Sequence, residues 1–116
     1  MEIKIVKTPI AKDTLRALAH EGFGDMVKAV VDVRQGIMAI GGELHADEEV
    51  VLTEREGSKR EDVWGINLYP DAPPDGLIEF NSMVNIKPTQ GNRSRGVEDR
   101  EIQEKIRAII KKLVLL

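Results

Sequence analysis

Two segments hold most of the residues whose types and spacing could do chemistry. Residues 41–47 read Gly-Gly-Glu-Leu-His-Ala-Asp, and residues 90–99 read Gln-Gly-Asn-Arg-Ser-Arg-Gly-Val-Glu-Asp. Carboxylates and an imidazole suit acid–base chemistry or metal binding. Arginines between glycines suit an anion that must approach the backbone closely. We therefore predict a binding or enzymatic site between these segments for a small anionic ligand such as phosphate or a carboxylate.

The second segment precedes a helix, and a helix start attracts anions through its unpaired N–H groups and its dipole. Its glycine spacing resembles a phosphate-binding P-loop, but Val97-Glu98 stands where that motif requires Lys-Ser/Thr. A simpler interpretation is that the two arginines stabilise the loop by pairing with Glu98 or Asp99. The predicted ligand contacts of this loop are Gln90, Asn92, Arg93, Ser94 and Arg95.

The first segment carries three alternating side chains, Glu43, His45 and Asp47. If residues 42–47 are extended, all three project to one side and form a candidate set for a divalent metal. Glu43 and His45 are also the candidate catalytic acid and base. Asp47 has a competing role as the cap of a following helix. A metal is therefore a candidate cofactor rather than an expected one, and whether the protein is an enzyme stays open.

The clearest alternation in the chain runs over residues 78–87, where apolar or small side chains alternate with polar ones. This pattern predicts a strand that pairs with a strand over 63–69, with one dry face and one wet face. Asn67 and Asn85 fall on the wet face and lead towards the loop, so we include both as candidate ligand contacts. A solvated face is the ordinary interpretation, but asparagine is a poor strand former and needs a reason.

The rest of the chain supplies the elements that must position these residues. We predict a strand over 2–6, a helix closed by Gly22, and a hairpin of strands 26–33 and 37–40 joined by Arg34-Gln35-Gly36. A helix over 48–56, capped by Asp47 and ended by Gly57, is favoured over a strand. The order β-α-β-β-α-β-β-α indicates a single α+β domain over 1–116 with a mainly antiparallel sheet.

A final helix begins at about Asp99 and carries one apolar stripe. Its members are Ile102, Ile106, Ile109, Ile110 and Leu113. We expect this helix to pack on the dry face of the sheet. The apolar tail Val114-Leu115-Leu116 is either tucked into the core or shared with a second subunit, so the C-terminal helix is a candidate surface for homo-oligomerisation. A non-catalytic interaction module is accordingly the alternative function.

Composition limits the classes of partner. The net charge of −3 disfavours nucleic acid, because that affinity depends mainly on neutralising phosphates. The chain has no cysteine, so it has neither disulfides nor thiolate metal sites. No apolar run approaches the roughly 18 residues of a membrane span. We therefore expect a cytoplasmic protein with no membrane partner, and the abundant Glu, Lys, Arg, Ile and Val lean towards a thermophilic source.

Four spaced blocks carry a resemblance to a known family. They are residues 24–33, the Gly-Gly-Glu-Leu-His-Ala-Asp-Glu-Glu block 41–49, the Trp-Gly-Ile-Asn-Leu-Tyr-Pro block 64–70, and the block 90–99. Together they resemble an uncharacterised family of small bacterial and archaeal proteins, a domain of unknown function. The resemblance covers nearly the whole chain. It implies a prokaryotic protein but supplies no activity and no catalytic residue.

Overall fold

The fold is an α+β arrangement, seen in a computed structural model that describes residues 2–115. Three α-helices and seven strands make up its regular elements. In chain order they are β1 (Lys4–Val6), β2 (Ile10–Ala11), α1 (Lys12–Glu21), β3 (Val27–Asp32), β4 (Ile37–Ile40), α2 (His45–Glu56), β5 (Val63–Leu68), β6 (Ile78–Glu79), α3 (Arg100–Leu113) and β7 (Val114–Leu115). The predicted fold class and the order of the main elements are confirmed.

Five strands form one sheet in the order β1-β4-β3-β5-β6, and every pairing in it is antiparallel. The predicted hairpin joins β3 to β4, with Asp32 opposite Ile37 across the turn. Gly36 takes a φ of 71°, the left-handed conformation that a tight hairpin loop asks of one residue. The buried Asp32 carboxylate accepts hydrogen bonds from the N–H groups of Arg34 and Gln35, which fixes the loop.

One face of the sheet packs against α3, as predicted. Strands β3 and β5 contribute the alternate side chains to this core, and α3 contributes its isoleucine stripe, of which Ile106 and Ile110 are almost completely buried. The helix begins at Asp99, whose carboxylate accepts from the N–H of Glu101 at 2.8 Å. That cap satisfies a donor that a helix start leaves unpaired. Truncating a buried isoleucine such as Ile110 to alanine costs about 2–5 kcal/mol in such cores.

The opposite face is also covered, which corrects the prediction of a wet face. Helix α2 packs its Leu52 on this side against a second apolar cluster that includes Val30 and Val63. Two of the predicted wet-face residues are buried: Asn67 is 6% exposed and Asn85 is 0% exposed, although Glu79 is exposed. Helix α2 connects two antiparallel hairpins and has to bury its apolar side, and it does so by packing against this face of the sheet.

The predicted strand over 78–87 is wrong beyond its first two residues. Only Ile78 and Glu79 pair with β5, and the chain then leaves the sheet for a 3₁₀ turn over Met83–Asn85. The N–H of Ser82 donates to the carbonyl of Arg95 instead of to a strand. Alternation of side chains along this segment therefore reflects burial in a loop and not a β ladder.

Gly65 explains why the segment can take this path. A Cβ atom at that position would lie 2.5 Å from the side chain of Ser82, so only glycine allows the approach. The amide of Asn85 then replaces the missing strand, because its Oδ1 accepts from the Gly65 N–H at 2.7 Å and its Nδ2 donates to the Gly65 carbonyl at 2.9 Å. This amide satisfies both backbone groups of a central strand residue.

The end of the chain forms a small element that the sequence did not predict. Strand β7 pairs in parallel with β2, with Val114 opposite Ile10. Val114 is buried in the core, whereas Leu115 is 56% exposed. The apolar tail is thus partly tucked in, and its last residue, Leu116, lies outside the described residues. Within 2–115, no helix has the length and apolar character needed to cross a membrane.

Candidate functional site

Helix α2 begins earlier than predicted, and its start is the centre of the candidate site. His45 is the first helical residue, and Leu44 holds the cap position without any side-chain hydrogen bond. The predicted Asp47 cap is therefore wrong, because Asp47 lies within the first turn. The first N–H groups of this helix are left without a side-chain acceptor, which gives the helix start its donors and the positive end of its dipole.

The early helix start removes the geometric basis of the predicted metal set. Residues 42–47 are not extended, so alternate side chains do not share a side. Glu43 and Asp47 are exposed, whereas His45 is buried towards the sheet. Within 2–115, no three side chains among His, Asp and Glu are grouped as metal ligands.

Three polar side chains lie in register across the sheet on the α2 side. Lys28 on β3 stands opposite Asn67 on β5, and Asn67 stands opposite Glu79 on β6. The Asn67 Nδ2 donates to Glu79 Oε1 at 2.9 Å, and the hydroxyl of Tyr69 donates to the same oxygen at 3.1 Å. The row runs from a cation through an amide to a carboxylate, at the end of the sheet where α2 starts.

His45 covers this row and is only 8% exposed. Its Nε2 lies 2.8 Å from the carbonyl oxygen of Ile66. A carbonyl can only accept, so Nε2 carries the proton and Nδ1 is the unprotonated nitrogen of the neutral ring. Burial lowers the pKa of His45, and the charges of Lys28 and Arg95 lower it further, against opposing hydrogen bonds with Ile66 and Asn67. The imidazole is therefore neutral at neutral pH.

Both predicted segments lie against strand β5. The Nε2 of His45 lies 2.8 Å from the Ile66 carbonyl, and the Asn85 amide donates both to the neighbouring Gly65 carbonyl and to the Arg95 carbonyl at 2.9 Å. The charges of Lys28 and Arg95 contribute to the lowered pKa of His45, which burial lowers most.

Glu48, one turn further along α2, is a site residue that the sequence did not indicate. It is 0% exposed, and its Oε2 accepts from the Gly42 N–H at 2.9 Å. Its Oε1 is buried without a hydrogen-bond partner among residues 2–115. Burial raises the pKa of Glu48 to about 9, although the Gly42 N–H and Lys28 act in the opposite direction. Glu48 is accordingly an uncharged carboxylic acid at neutral pH, so it does not neutralise Lys28.

The loop over 90–99 is stabilised by its own side chains. Asn92 is 4% exposed, and its Nδ2 donates to the carbonyls of Asn85 and Gly96 at 2.7 and 2.8 Å. Its Oδ1 accepts from the N–H of Glu98. The amides of Asn85 and Asn92 are hydrogen-bonded to the backbone of the fold, so neither side chain belongs to the candidate site. These bonds explain why asparagine stands at both positions.

The predicted ion pairs of this loop do not form. The Glu98 carboxylate instead accepts from the backbone N–H groups of Arg93 and Ser94 at 2.8 and 2.9 Å, and these bonds lower its pKa. Glu98 takes the place that an external anion would occupy on this backbone. Within residues 2–115, the guanidinium groups of Arg93 and Arg95 take part in no salt bridge.

The remaining predicted contacts lie apart from the start of α2 or serve the loop. Gln90 donates through Nε2 to the carbonyl of Glu61, and the Ser94 hydroxyl accepts from the N–H of Gly96. The buried Lys87 donates to the carbonyls of Arg60 and Val63 and lies over the Trp64 ring at 4.3 Å. Burial lowers the pKa of Lys87 to about 8. This lysine joins two loops and is not part of the site.

The described residues form an α+β fold in which the start of α2 has no side-chain cap. The chain belongs to the family described as protein of unknown function (DUF5674), which matches residues 4–113. The family resemblance drawn from the sequence is thereby confirmed. No curated protein and no solved structure gives a match.

Proposed function

We propose that this protein binds a small anion, a phosphate or a carboxylate group, at the start of α2. One arrangement carries the proposal. Lys28 stands opposite Asn67 of β5, the Asn85 amide that bonds Gly65 also holds the Arg95 carbonyl, and Ile66 of the same strand accepts from the buried imidazole of His45. That imidazole belongs to the first residue of a helix with no side-chain cap. Two cations beside open N–H donors are what an anion requires.

The two positive groups have no ion-pair partner in the described part of the chain. Within residues 2–115, neither Lys28 nor Arg95 takes part in a salt bridge. Glu48, the acidic residue buried in the first turns of α2, is uncharged because burial raises its pKa to about 9.

Each residue has a distinct role in this proposal. Arg95 supplies an exposed guanidinium that can bind two oxygens of one anion, and Lys28 supplies a second charge from the sheet. The N–H groups of His45 and Ala46 donate to the ligand, whereas those of Asp47 and Glu48 already donate to the Leu44 carbonyl. His45 presents a neutral ring whose Nδ1 can accept a proton, so it is the candidate base if the bound molecule reacts. Glu43 lies next to the helix start and is exposed.

Calorimetric titration with phosphate, and separately with acetate, tests the proposal. We expect Arg95→Ala to weaken binding at least about tenfold, because it removes a charged contact. Arg93→Ala is the matched control, since it removes the same side chain from the same loop. The charge of Arg93 contributes to the lowered pKa of Glu98, whereas the charge of Arg95 contributes to the lowered pKa of His45.

The two variants must be compared at equal ionic strength, because screening weakens exposed charges. If Arg93→Ala and Arg95→Ala weaken anion binding equally, the effect comes from the overall charge of the loop. That result would contradict the proposed position of the site at the start of α2. A wild-type protein that takes up neither anion would contradict the proposed function itself.

A further inference from the structure

A groove on the opposite side of the molecule is lined by apolar side chains from two elements. Helix α3 contributes Ile110, the following strand contributes Val114, and the segment before β6 contributes Leu77 and Ile78. The groove has a volume of about 290 Å³. Ligand pockets commonly hold roughly 300–1,000 Å³, so this groove is at the small end for a drug-sized molecule and is large enough for inserted side chains.

The two rims of the groove carry opposite charges. Asp75 lies on the rim formed by the 3₁₀ turn Pro74–Gly76, and Lys111 lies on the rim formed by α3. Within residues 2–115, Lys111 takes part in no salt bridge and neither does Asp75. Arg107 lies further along the same rim but already pairs with Glu104 at 3.1 Å.

Opposite charges on two rims decide between the occupants of such a groove. An apolar anion, such as a fatty carboxylate, would be attracted by Lys111 and repelled by Asp75. A second copy of the chain, related by a twofold axis, meets the groove with the same two rims reversed. Asp75 of each copy then faces Lys111 of the other, so the dimer contains two equivalent pairs of opposite charges.

We propose that the groove between α3 and the segment 74–78 is the self-association surface of this protein, with a second copy of the chain as its occupant. The exchanged contacts are those of Asp75 with Lys111 at the two rims. This surface uses none of the residues proposed for anion binding, so the two proposals stand or fall separately.

Sedimentation equilibrium of the full chain tests this proposal. The wild type is expected to reach twice its monomer mass of 12.9 kDa as its concentration rises. Lys111→Glu places like charges across both rims, and we expect it to raise the dimer dissociation constant at least about tenfold. Lys112→Glu is the matched control, because Lys112 is an exposed neighbour in the same last turn that does not line the groove.

The charge exchange Asp75→Lys with Lys111→Asp is the decisive variant, since it should restore the wild-type dissociation constant. Circular dichroism of each variant confirms that it is folded before its mass is interpreted. A wild type that stays monomeric overturns the proposal, whether or not an apolar dye binds the groove. Equal effects of Lys111→Glu and Lys112→Glu overturn it, and so does failure of the folded exchange variant to restore the dimer.

Discussion

The buried carboxyl group of Glu48 accepts a hydrogen bond from the backbone N–H of Gly42 at 2.9 Å, and this contact joins α2 to the end of β4. The two residues are also packed tightly, because a Cβ on Gly42 would lie 3.0 Å from the Glu48 Cγ. Folding therefore keeps a proton on Glu48 that the unfolded chain releases. Such an acid makes stability depend on pH.

The first prediction concerns this pH dependence. The pKa of Glu48 is about 9 in the folded protein against an ordinary 4.5, so its contribution is complete below pH 4.5 and is lost as the pH rises towards 9. The slope in that window is about 1.4 kcal/mol per pH unit. Glu48→Gln keeps the acceptor for Gly42 and removes the titration, so it should raise the melting temperature increasingly from pH 5 to 9.

Thermal unfolding of both proteins across that pH range measures the difference. Glu54→Gln is a suitable control, because it changes the same residue type in α2 and Glu54 is exposed. A constant difference between Glu48→Gln and the wild type at every pH would contradict the assignment of an uncharged Glu48.

The second prediction concerns the close approach of the loop to β5. Gly65→Ala introduces a Cβ that would lie 2.5 Å from Ser82 and 2.9 Å from Val84, and overpacking of this kind costs about 1–3 kcal/mol. Ser82→Gly removes the nearer obstacle. The double variant should therefore be more stable than the sum of the two single effects predicts. Urea unfolding of the four proteins measures the coupling, and strict additivity would argue against this contact.

The third prediction couples anion binding to protonation of His45. A bound anion offsets the charges of Lys28 and Arg95, which lower the pKa of His45 in the unliganded protein. The pKa of His45 is then higher in the complex than in the free protein, so binding takes up protons and strengthens as the pH falls through the pKa of the complex. Sulfate is the appropriate probe, because its own charge is constant in this range.

Calorimetry in two buffers of different ionisation enthalpy counts the protons taken up. His45→Gln should bind sulfate without uptake at acidic pH, because it removes the titrating ring. Proton uptake that persists in this variant would assign the effect to another group.

Much of the fold follows from local patterns in the sequence. Alternation in β3 and β5, the glycine turn at Gly36 and the isoleucine stripe of α3 are each a direct consequence of which side chains must be buried. The prediction for 78–87 is wrong because an alternation of residue types does not require a β ladder, and here the loop buries the neighbouring Val84 and Asn85 alike. Nothing local distinguishes these cases, since the deciding contact joins Gly65 to Ser82 and Asn85 across the fold.

The candidate site was only partly visible in the sequence. Segments 41–47 and 90–99 stand out by residue type, and each of them lies against β5, at Ile66 and, through Asn85, at Gly65. The partners in the sheet, Lys28 and Glu79, could be found only from strand register. Glu48 resembled an ordinary surface glutamate in an acidic helix start. Its burial depends on where α2 begins, which the uncapped Leu44 did not reveal.

The most direct test of the account is an NMR titration of the backbone amides with sulfate. We predict that the N–H signals of His45 and Ala46 shift and saturate with the dissociation constant found by calorimetry, and that Arg95→Ala abolishes these shifts. The signals of Arg93 and Ser94 should change little, because Glu98 already occupies those donors. Shifts confined to the loop over 90–99, with His45 and Ala46 unaffected, would contradict an anion site at the start of α2.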